Sequence, residues 1–264
     1  LNARVVLLDG TAQVDLLRAT LRACGRDLEV LDVSLADTGP VQRALIVSTE
    51  GSRSRLLPGR KIHWDAASRM ICAGLDHVDA AITKTPALGR RRLLLVTHRP
   101  IADMLRDVLE HRRWTAIPDP DLRAAIKKRA TKLDVAHYGG LRGLNEWEGA
   151  NVLTIGDPWL RPDEVEDMAA LLGVDPGQLP RDLPEAELGQ AHGRNRAPLA
   201  TKPILNVHVG QVIPAGWETA TTTFVRMPRG RPPRSPSMTP HEAKALCAPL
   251  GTQRQAARRL GIPH

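Results

Sequence analysis

Aromatic side chains are scarce in this chain. Its 264 residues include one Tyr, one Phe and five Trp, so that aromatic residues make up 3% of the total. Proteins that hold single-stranded nucleic acid without sequence preference commonly stack successive bases on aromatic rings. The composition therefore argues against a stacking platform for single-stranded bases, although five Trp remain.

Cysteines are also few, and long apolar runs are missing. Cys24, Cys72 and Cys247 lie far apart, with no Cys-x-x-Cys pair and no histidines at zinc-ligand spacing. The sequence thus predicts neither a disulfide framework nor a metal site. No apolar run approaches the roughly 20 residues that cross a bilayer, and no charged-then-apolar leader opens the chain. We therefore expect a cytoplasmic protein that does not bind membranes.

Two motifs of nucleotide hydrolysis are absent. The sequence contains no Gly-x-x-x-x-Gly-Lys-Ser/Thr phosphate loop, and no apolar run ends in an Asp-Glu-x-Asp/His box that would hold magnesium. Phosphoryl transfer from ATP needs that lysine and that metal ion to hold the β- and γ-phosphates. We therefore predict that this polypeptide alone neither hydrolyses ATP nor unwinds duplexes.

The positive charge is concentrated in the C-terminal third. Residues 190–264 hold eleven Lys and Arg against two acids, whereas the preceding 189 residues hold 26 against 27. With 42% hydrophobic and 25% charged residues, the chain as a whole has a typical globular composition. A basic third joined to a neutral body suits a polyanion such as nucleic acid. A solvated arginine-rich tail without a partner is the alternative.

Short apolar runs alternate with amphipathic stretches, which predicts an α/β fold. The pattern predicts strands at 93–96, 135–138, 152–155 and 204–209, and helices over 64–82 and from Ile101 onward. The first of these strands ends in Thr97-His98-Arg99, and polar groups at the carboxyl edge of a parallel sheet are typical of ligand-binding sites.

Two further turns carry glycine beside polar and basic residues. Arg142-Gly143-x-Asn145 lies between two predicted strands, and Gln190-x-x-Gly193-Arg194-x-Arg196 precedes another. Glycine lets backbone N–H groups approach an anion closely. An ordinary solvated loop is the alternative interpretation of either turn, but their occurrence in this order favours a functional role.

In that order, the two turns resemble motifs V and VI in the second RecA-like domain of superfamily 2 helicases, particularly the helicase-like proteins of phages and plasmids. Thr97-His98-Arg99 resembles motif IV, and the turn at 9–12 (Asp-Gly-Thr-Ala) resembles motif III. The resemblance covers roughly residues 1–215. It departs from the family at motif VI, where the second arginine, Arg196, comes one residue early and Ala197 occupies the expected position.

The resemblance implies a P-loop NTPase-type fold, a RecA-like parallel sheet with helices on both faces, and a role for each motif. Arg194 would be an arginine finger for the γ-phosphate of ATP, with Arg196 as a second catalytic arginine. The implied nucleotide-binding residues are Gln190, Gly193, Gly143 and Asn145. The implied nucleic-acid contacts are Thr97, His98, Arg99 and Arg142. ATP with magnesium would bind only together with a complete first RecA-like domain.

The same resemblance suggests a division of the chain. Residues 1–50 would be a remnant of the first RecA-like domain, 51–63 a linker, and 64–215 the second RecA-like domain. Residues 216–240 form a linker rich in Pro and Arg, which cannot bury a core. The tail, 241–264, resembles a truncated helix-turn-helix module that stops before a recognition helix.

These features predict the C-terminal motor half of an ATP-dependent DNA helicase or translocase of a mobile element. DNA and a first helicase domain bearing the phosphate loop would be its partners. The alternative is a non-catalytic DNA-binding replication accessory protein, in which the α/β body is a scaffold and the basic C-terminal third binds DNA.

Overall fold

The computed structural model describes residues 40–141, 146–160, 162–173, 183–196, 200–214, 217 and 220–224, together with Arg22 and Gly25. The motif III-like turn at 9–12, the turn at 142–145 and the basic tail from 225 onward lie outside the described residues.

An all-parallel sheet forms the centre of the described structure. Its strands are β1 (Val41–Val47), β2 (Leu93–Thr97), β3 (Leu133–His137), β4 (Asn151–Ile155), β5 (Ile204–Gly210) and β6 (Thr221–Phe224). Their order across the sheet is β3-β2-β4-β5-β1-β6. Every residue of β2, β4 and β5 is buried, as expected where layers cover both faces of a parallel sheet. The predicted α/β class is thereby confirmed.

Helices fill most of the connections between the strands. The α-helices are α1 (Arg53–Leu56), α2 (Trp64–Lys84), α3 (Arg99–His111), α4 (Pro120–Arg129), α5 (Pro162–Leu172) and α6 (Leu183–Gly193), and short 3-10 turns occupy Pro58–Arg60, Pro86–Arg90 and Trp114–Ala116. The start of α4 shows why a helix begins there: the Asp119 carboxylate accepts from Leu122 N at 2.7 Å, and Pro120 follows it. None of the described helices is both long and apolar enough to cross a membrane.

The two faces of the sheet have different covers. On the first face, α2, α3 and α4 bury a large apolar core against residues such as Leu153 and Val207. On the second face, Leu141, Trp147 and Ala191 of α6 form a smaller cluster with strand residues that include Val152. Successive strand residues point to opposite faces, so Leu153 and Val152 belong to different cores.

Strand β1 was not predicted, and its position differs from the predicted domain division. Residues 41–47 pair in register with β5, and residues 44–47 also pair with β6, although they fall in the segment assigned to an upstream domain. In the predicted linker, Leu56 and Leu57 are buried in the first core. The structure therefore places residues 41–63 with the sheet. An apolar run indicates a strand but not its partner, and the polar composition of 51–63 concealed two core leucines.

The crossovers create a crevice between β2 and β4. The chain leaves β2 into α3 on the first face, whereas it leaves β4 toward α6 on the second face. Neighbouring strands whose connections go to opposite faces leave a crevice at their carboxyl ends, where open α/β sheets bind ligands. The turns at 97–99 and 156–160 border this crevice.

Candidate functional site

Hydrogen bonds to main-chain carbonyls hold the turns at this crevice together. The Thr97 hydroxyl donates to Ile155 O at 3.1 Å, and the Tyr138 hydroxyl donates to Gly156 O at 2.7 Å. The His98 ring meets the Tyr138 ring edge-on at a centroid distance of 5.6 Å. The carboxyl ends of β2, β3 and β4 are thus tied to one another.

The three residues of the motif IV-like turn have different environments. Thr97 is fully buried with its hydroxyl engaged, and His98 is 6% exposed. Only Arg99 faces solvent, with 75% of its side chain exposed and a 3.4 Å contact to Asp103. Thr97 and His98 therefore lack the exposed surface that direct contact with DNA requires, and they brace the edge instead. The sequence showed a polar turn after a strand but not how deeply the turn is covered.

His98 is held in its neutral form. Burial, reinforced by the nearby Arg53 guanidinium, lowers the pKa of His98 to about 4. Its Nε2 has no hydrogen-bond partner among the described residues. Gly156, with φ of 81°, lies so close that a Cβ there would come within 3.1 Å of this nitrogen. Glycine is therefore needed both for the backbone conformation and for the approach of the two turns.

A buried carboxylate, Asp157, joins three turns. It accepts from Gln211 N at 2.9 Å, Val212 N at 3.0 Å and His208 Nε2 at 3.3 Å. Its own N–H donates to Gly51 O at 2.8 Å. One residue thereby fixes the loops that follow β1, β4 and β5. Asp157 was not among the predicted site residues, although an acid directly after a buried strand and a glycine is a signal that could have identified it.

Two histidines and a threonine extend this network across the second face. Thr154 Oγ1 lies 2.8 Å from His208 Nδ1 and 3.1 Å from His192 Nε2. One assignment of protons satisfies these contacts: His192 donates to Thr154, Thr154 to His208, and His208 to Asp157. Burial, followed by the neighbouring His208, lowers the pKa of His192 well below its ordinary value. The His192 ring also packs against Trp217 with a centroid distance of 4.5 Å.

The order Thr154, His208, Asp157 matches that of a nucleophile, base and orienting acid, but burial excludes such chemistry. All three residues are 0% exposed, so no substrate can reach the hydroxyl. The network instead links α6, which carries the motif VI-like residues, to the loops at the carboxyl edge. We infer that this network has a structural role, in which it holds α6 and the loops at the carboxyl edge in place.

The motif VI-like residues follow α6 across the second face. Within α6, the Glu187 carboxylate accepts from Gly139 N at 3.0 Å, and Gly139 lies just beyond the end of β3. After the end of α6, Asn195 O accepts from Gly149 N at 2.9 Å, and Gly149 lies just before the start of β4. The helix therefore runs antiparallel to the strands. Gln190 and Gly193 form its last turn, Gln190 half-buried and Gly193 exposed, and Arg194 follows, half-buried.

Residues 193–196 form a turn anchored to the segment just before β4. Asn195 is buried and donates to Asn206 Oδ1 at 2.6 Å. Arg196, with φ of 51°, pairs with Glu148 at 3.1 Å. The anchoring segment, 146–149, directly follows the motif V-like turn, whose Arg142, Gly143 and Asn145 lie outside the described residues. The structure thus joins the motif VI-like turn to this segment and separates both from the 97–99 turn, at the other end of the strands.

The described residues include no group of three or more His, Cys, Asp and Glu side chains that could hold a metal ion. The chain was compared with protein-family models, with curated proteins and with solved structures, and none of them matched.

Proposed function

We propose that this chain is the C-terminal motor half of an ATP-dependent DNA helicase or translocase, in which Arg194 acts as the arginine finger. The contact between the turn at 193–196 and the segment at 146–149 is the observation that supports the proposal. It places the turn that resembles motif VI against the segment that directly follows the stretch resembling motif V, on one all-parallel sheet.

The anchoring of this turn suits a finger. The residue after Arg194 is buried and held by two hydrogen bonds, from Gly149 N and to Asn206. A charged group whose backbone is already fixed stabilises a transition state without reorganising during the reaction. Arg196 is held by Glu148 and is assigned to fixing the turn.

ATP and magnesium belong to the partner side of this proposal. The described residues present no metal-binding group, and the sequence has no phosphate loop. We assign phosphate and metal binding to a first RecA-like domain that bears this loop. This chain would supply the guanidinium of Arg194, which approaches the bound ATP. Bound there, ATP and magnesium would supply the phosphoryl group and neutralise part of its charge.

The test measures DNA-stimulated ATP hydrolysis by this chain joined to, or mixed with, a first domain that carries the phosphate loop. Arg194→Ala should lower kcat by about 10³- to 10⁵-fold, as loss of an arginine finger does. Arg106→Ala, the matched control, removes an exposed arginine of α3 that pairs with Asp103, and should change it far less. Full activity of Arg194→Ala contradicts the assignment. Hydrolysis by this chain alone that disappears in Arg194→Ala contradicts the need for a first domain.

The uneven charge favours a second candidate, a DNA-binding accessory protein without motor activity. Residues 190–264 carry eleven basic residues against two acidic ones. If this third alone binds DNA, deleting residues 227–264 should abolish DNA affinity. The motor proposal instead expects nucleotide-dependent behaviour to survive that deletion. Salt dependence does not discriminate, because both candidates bind phosphates.

A further inference from the structure

Trp159 is an exposed aromatic residue on a firmly held turn. Its side chain is 44% exposed, whereas Trp147 and Trp217 are buried at 8% and 5%. Its N–H donates to Asp157 O at 2.8 Å, and Asp157 is fixed by its bonds to the turns after β1 and β5. This partly exposed ring therefore belongs to a residue just beyond the carboxyl end of strand β4, beside the crevice, whose backbone is held by hydrogen bonds.

The loop and short helix that follow β1 lie beside this turn and carry four basic residues. The loop after β1 includes Gly51, whose carbonyl accepts from Asp157 N. No acid lies between Gly51 and Ile62, a segment that carries Arg53, Arg55, Arg60 and Lys61. Arg53 pairs with Glu164, while Arg55, Arg60 and Lys61 are exposed. We name residues 53–61 the cationic segment.

We propose that Trp159 stacks on a base of single-stranded nucleic acid whose phosphates lie along the cationic segment. The inference rests on the proposed function and adds a base contact to it. Every base has a π-face, so such a contact tolerates any sequence. Bases in a duplex are already stacked on their neighbours, so the contact favours a single strand. The scarcity of aromatic residues excludes a row of rings but not one ring among cations.

The loss of one stacked base has a defined magnitude. Base–aromatic stacking contributes enough that alanine substitution lowers affinity by roughly 5- to 150-fold. Because Trp159 is exposed, its replacement should leave the urea midpoint of the protein unchanged. The salt dependence of binding should also stay the same, since no phosphate contact is removed.

The experiment titrates the full chain with a fluorescent oligo(dT) and measures anisotropy. Trp159→Ala should weaken binding by roughly 5- to 150-fold, and Trp159→Phe should retain most of the affinity. Leu171→Ala is the matched control, because Leu171 is 85% exposed and lies on α5. An abasic oligonucleotide with the same number of phosphates should weaken binding to the wild type but make no further difference to Trp159→Ala.

Three results would overturn the inference. If Trp159→Ala binds oligo(dT) with wild-type affinity, Trp159 does not stack on a base, whereas the motor proposal is unaffected. If micromolar thymidine monophosphate changes the fluorescence of Trp159 as much as oligo(dT) does, the residue belongs to a site for free nucleotides and not to a site for a single strand. If the wild-type chain binds no single strand at any salt concentration, the inference fails together with the expected DNA partner. The ATP-hydrolysis test of Arg194→Ala decides the motor assignment separately.

Discussion

Replacing Asp157 by Asn tests whether the buried carboxylate holds the carboxyl edge together. The change keeps the shape of the side chain and removes its charge. In the structure the carboxylate is fully buried and accepts from three donors, Gln211 N, Val212 N and His208 Nε2. An amide at this position offers one acceptor oxygen, and its NH₂ group would face donors.

The expected loss follows from these bonds. A hydrogen bond to a charged group contributes about 1.5–3 kcal/mol and a neutral one about 0.5–1.5 kcal/mol. Converting three of them therefore costs about 1 kcal/mol each, or about 3 kcal/mol in the free energy of unfolding. Urea denaturation measures this loss, with a midpoint shift of roughly 1–2 M at an unchanged m-value.

The matched control is Asp76→Asn, which removes the same charge from an exposed position on α2. It should stay within about 0.5 kcal/mol of the wild type. If Asp157→Asn unfolds at the wild-type midpoint, the three bonds do not hold the edge and the reasoning is refuted. A loss equal to that of the control would refute it equally.

Three further predictions concern the same frame. Thr154→Val keeps the volume but leaves two buried imidazoles without their shared partner, so unfolding free energy should fall by about 1–3 kcal/mol; an unchanged urea midpoint would exclude the proposed chain of hydrogen bonds. His98 has a folded pKa of about 4, below its ordinary value of 6.5, so the unfolded state takes up the proton first and stability is lost as pH falls from about 6.5 to 4. Unfolding measured across that range should show a loss of about 3 kcal/mol from His98, which His98→Gln removes, in addition to the loss due to His192; an identical slope in His98→Gln would contradict the burial argument. Asn195→Ala removes the bond to Asn206 and should lower stability by about 1–2 kcal/mol in urea denaturation; no loss would show that the turn does not depend on this anchor.

Much of the fold could be predicted from local patterns. The apolar runs at 93–96, 152–155 and 204–209 correspond to β2, β4 and β5, because a strand buried on both faces is apolar along its whole length. Helix α2 spans 64–84 because its apolar residues recur at helical spacing. No such signal marks β1, whose apolar run follows Gln42 and Arg43, or α6, which contains Pro184 and Gly189 and ends at Gly193.

The candidate site could be predicted only in outline. The turns at 97–99 and 190–196 were recognised from their polar residues. The sequence did not reveal that Thr97 and His98 are buried whereas Arg99 is exposed. Exposure depends on which loops cover a turn, and those loops come from distant parts of the chain. The same holds for Trp159, which composition could not distinguish from the buried Trp147.

The sequence by itself determined the alternation of strands and helices, the class of the fold and the cap at Asp119, because these depend on neighbours within a few residues. Only the tertiary structure decided that His192, Thr154, His208 and Asp157 form one buried network, since the hydrogen-bonded pairs are 38 to 54 residues apart. The crossovers between the strands bring them together, and burial then favours hydrogen bonds among their polar groups.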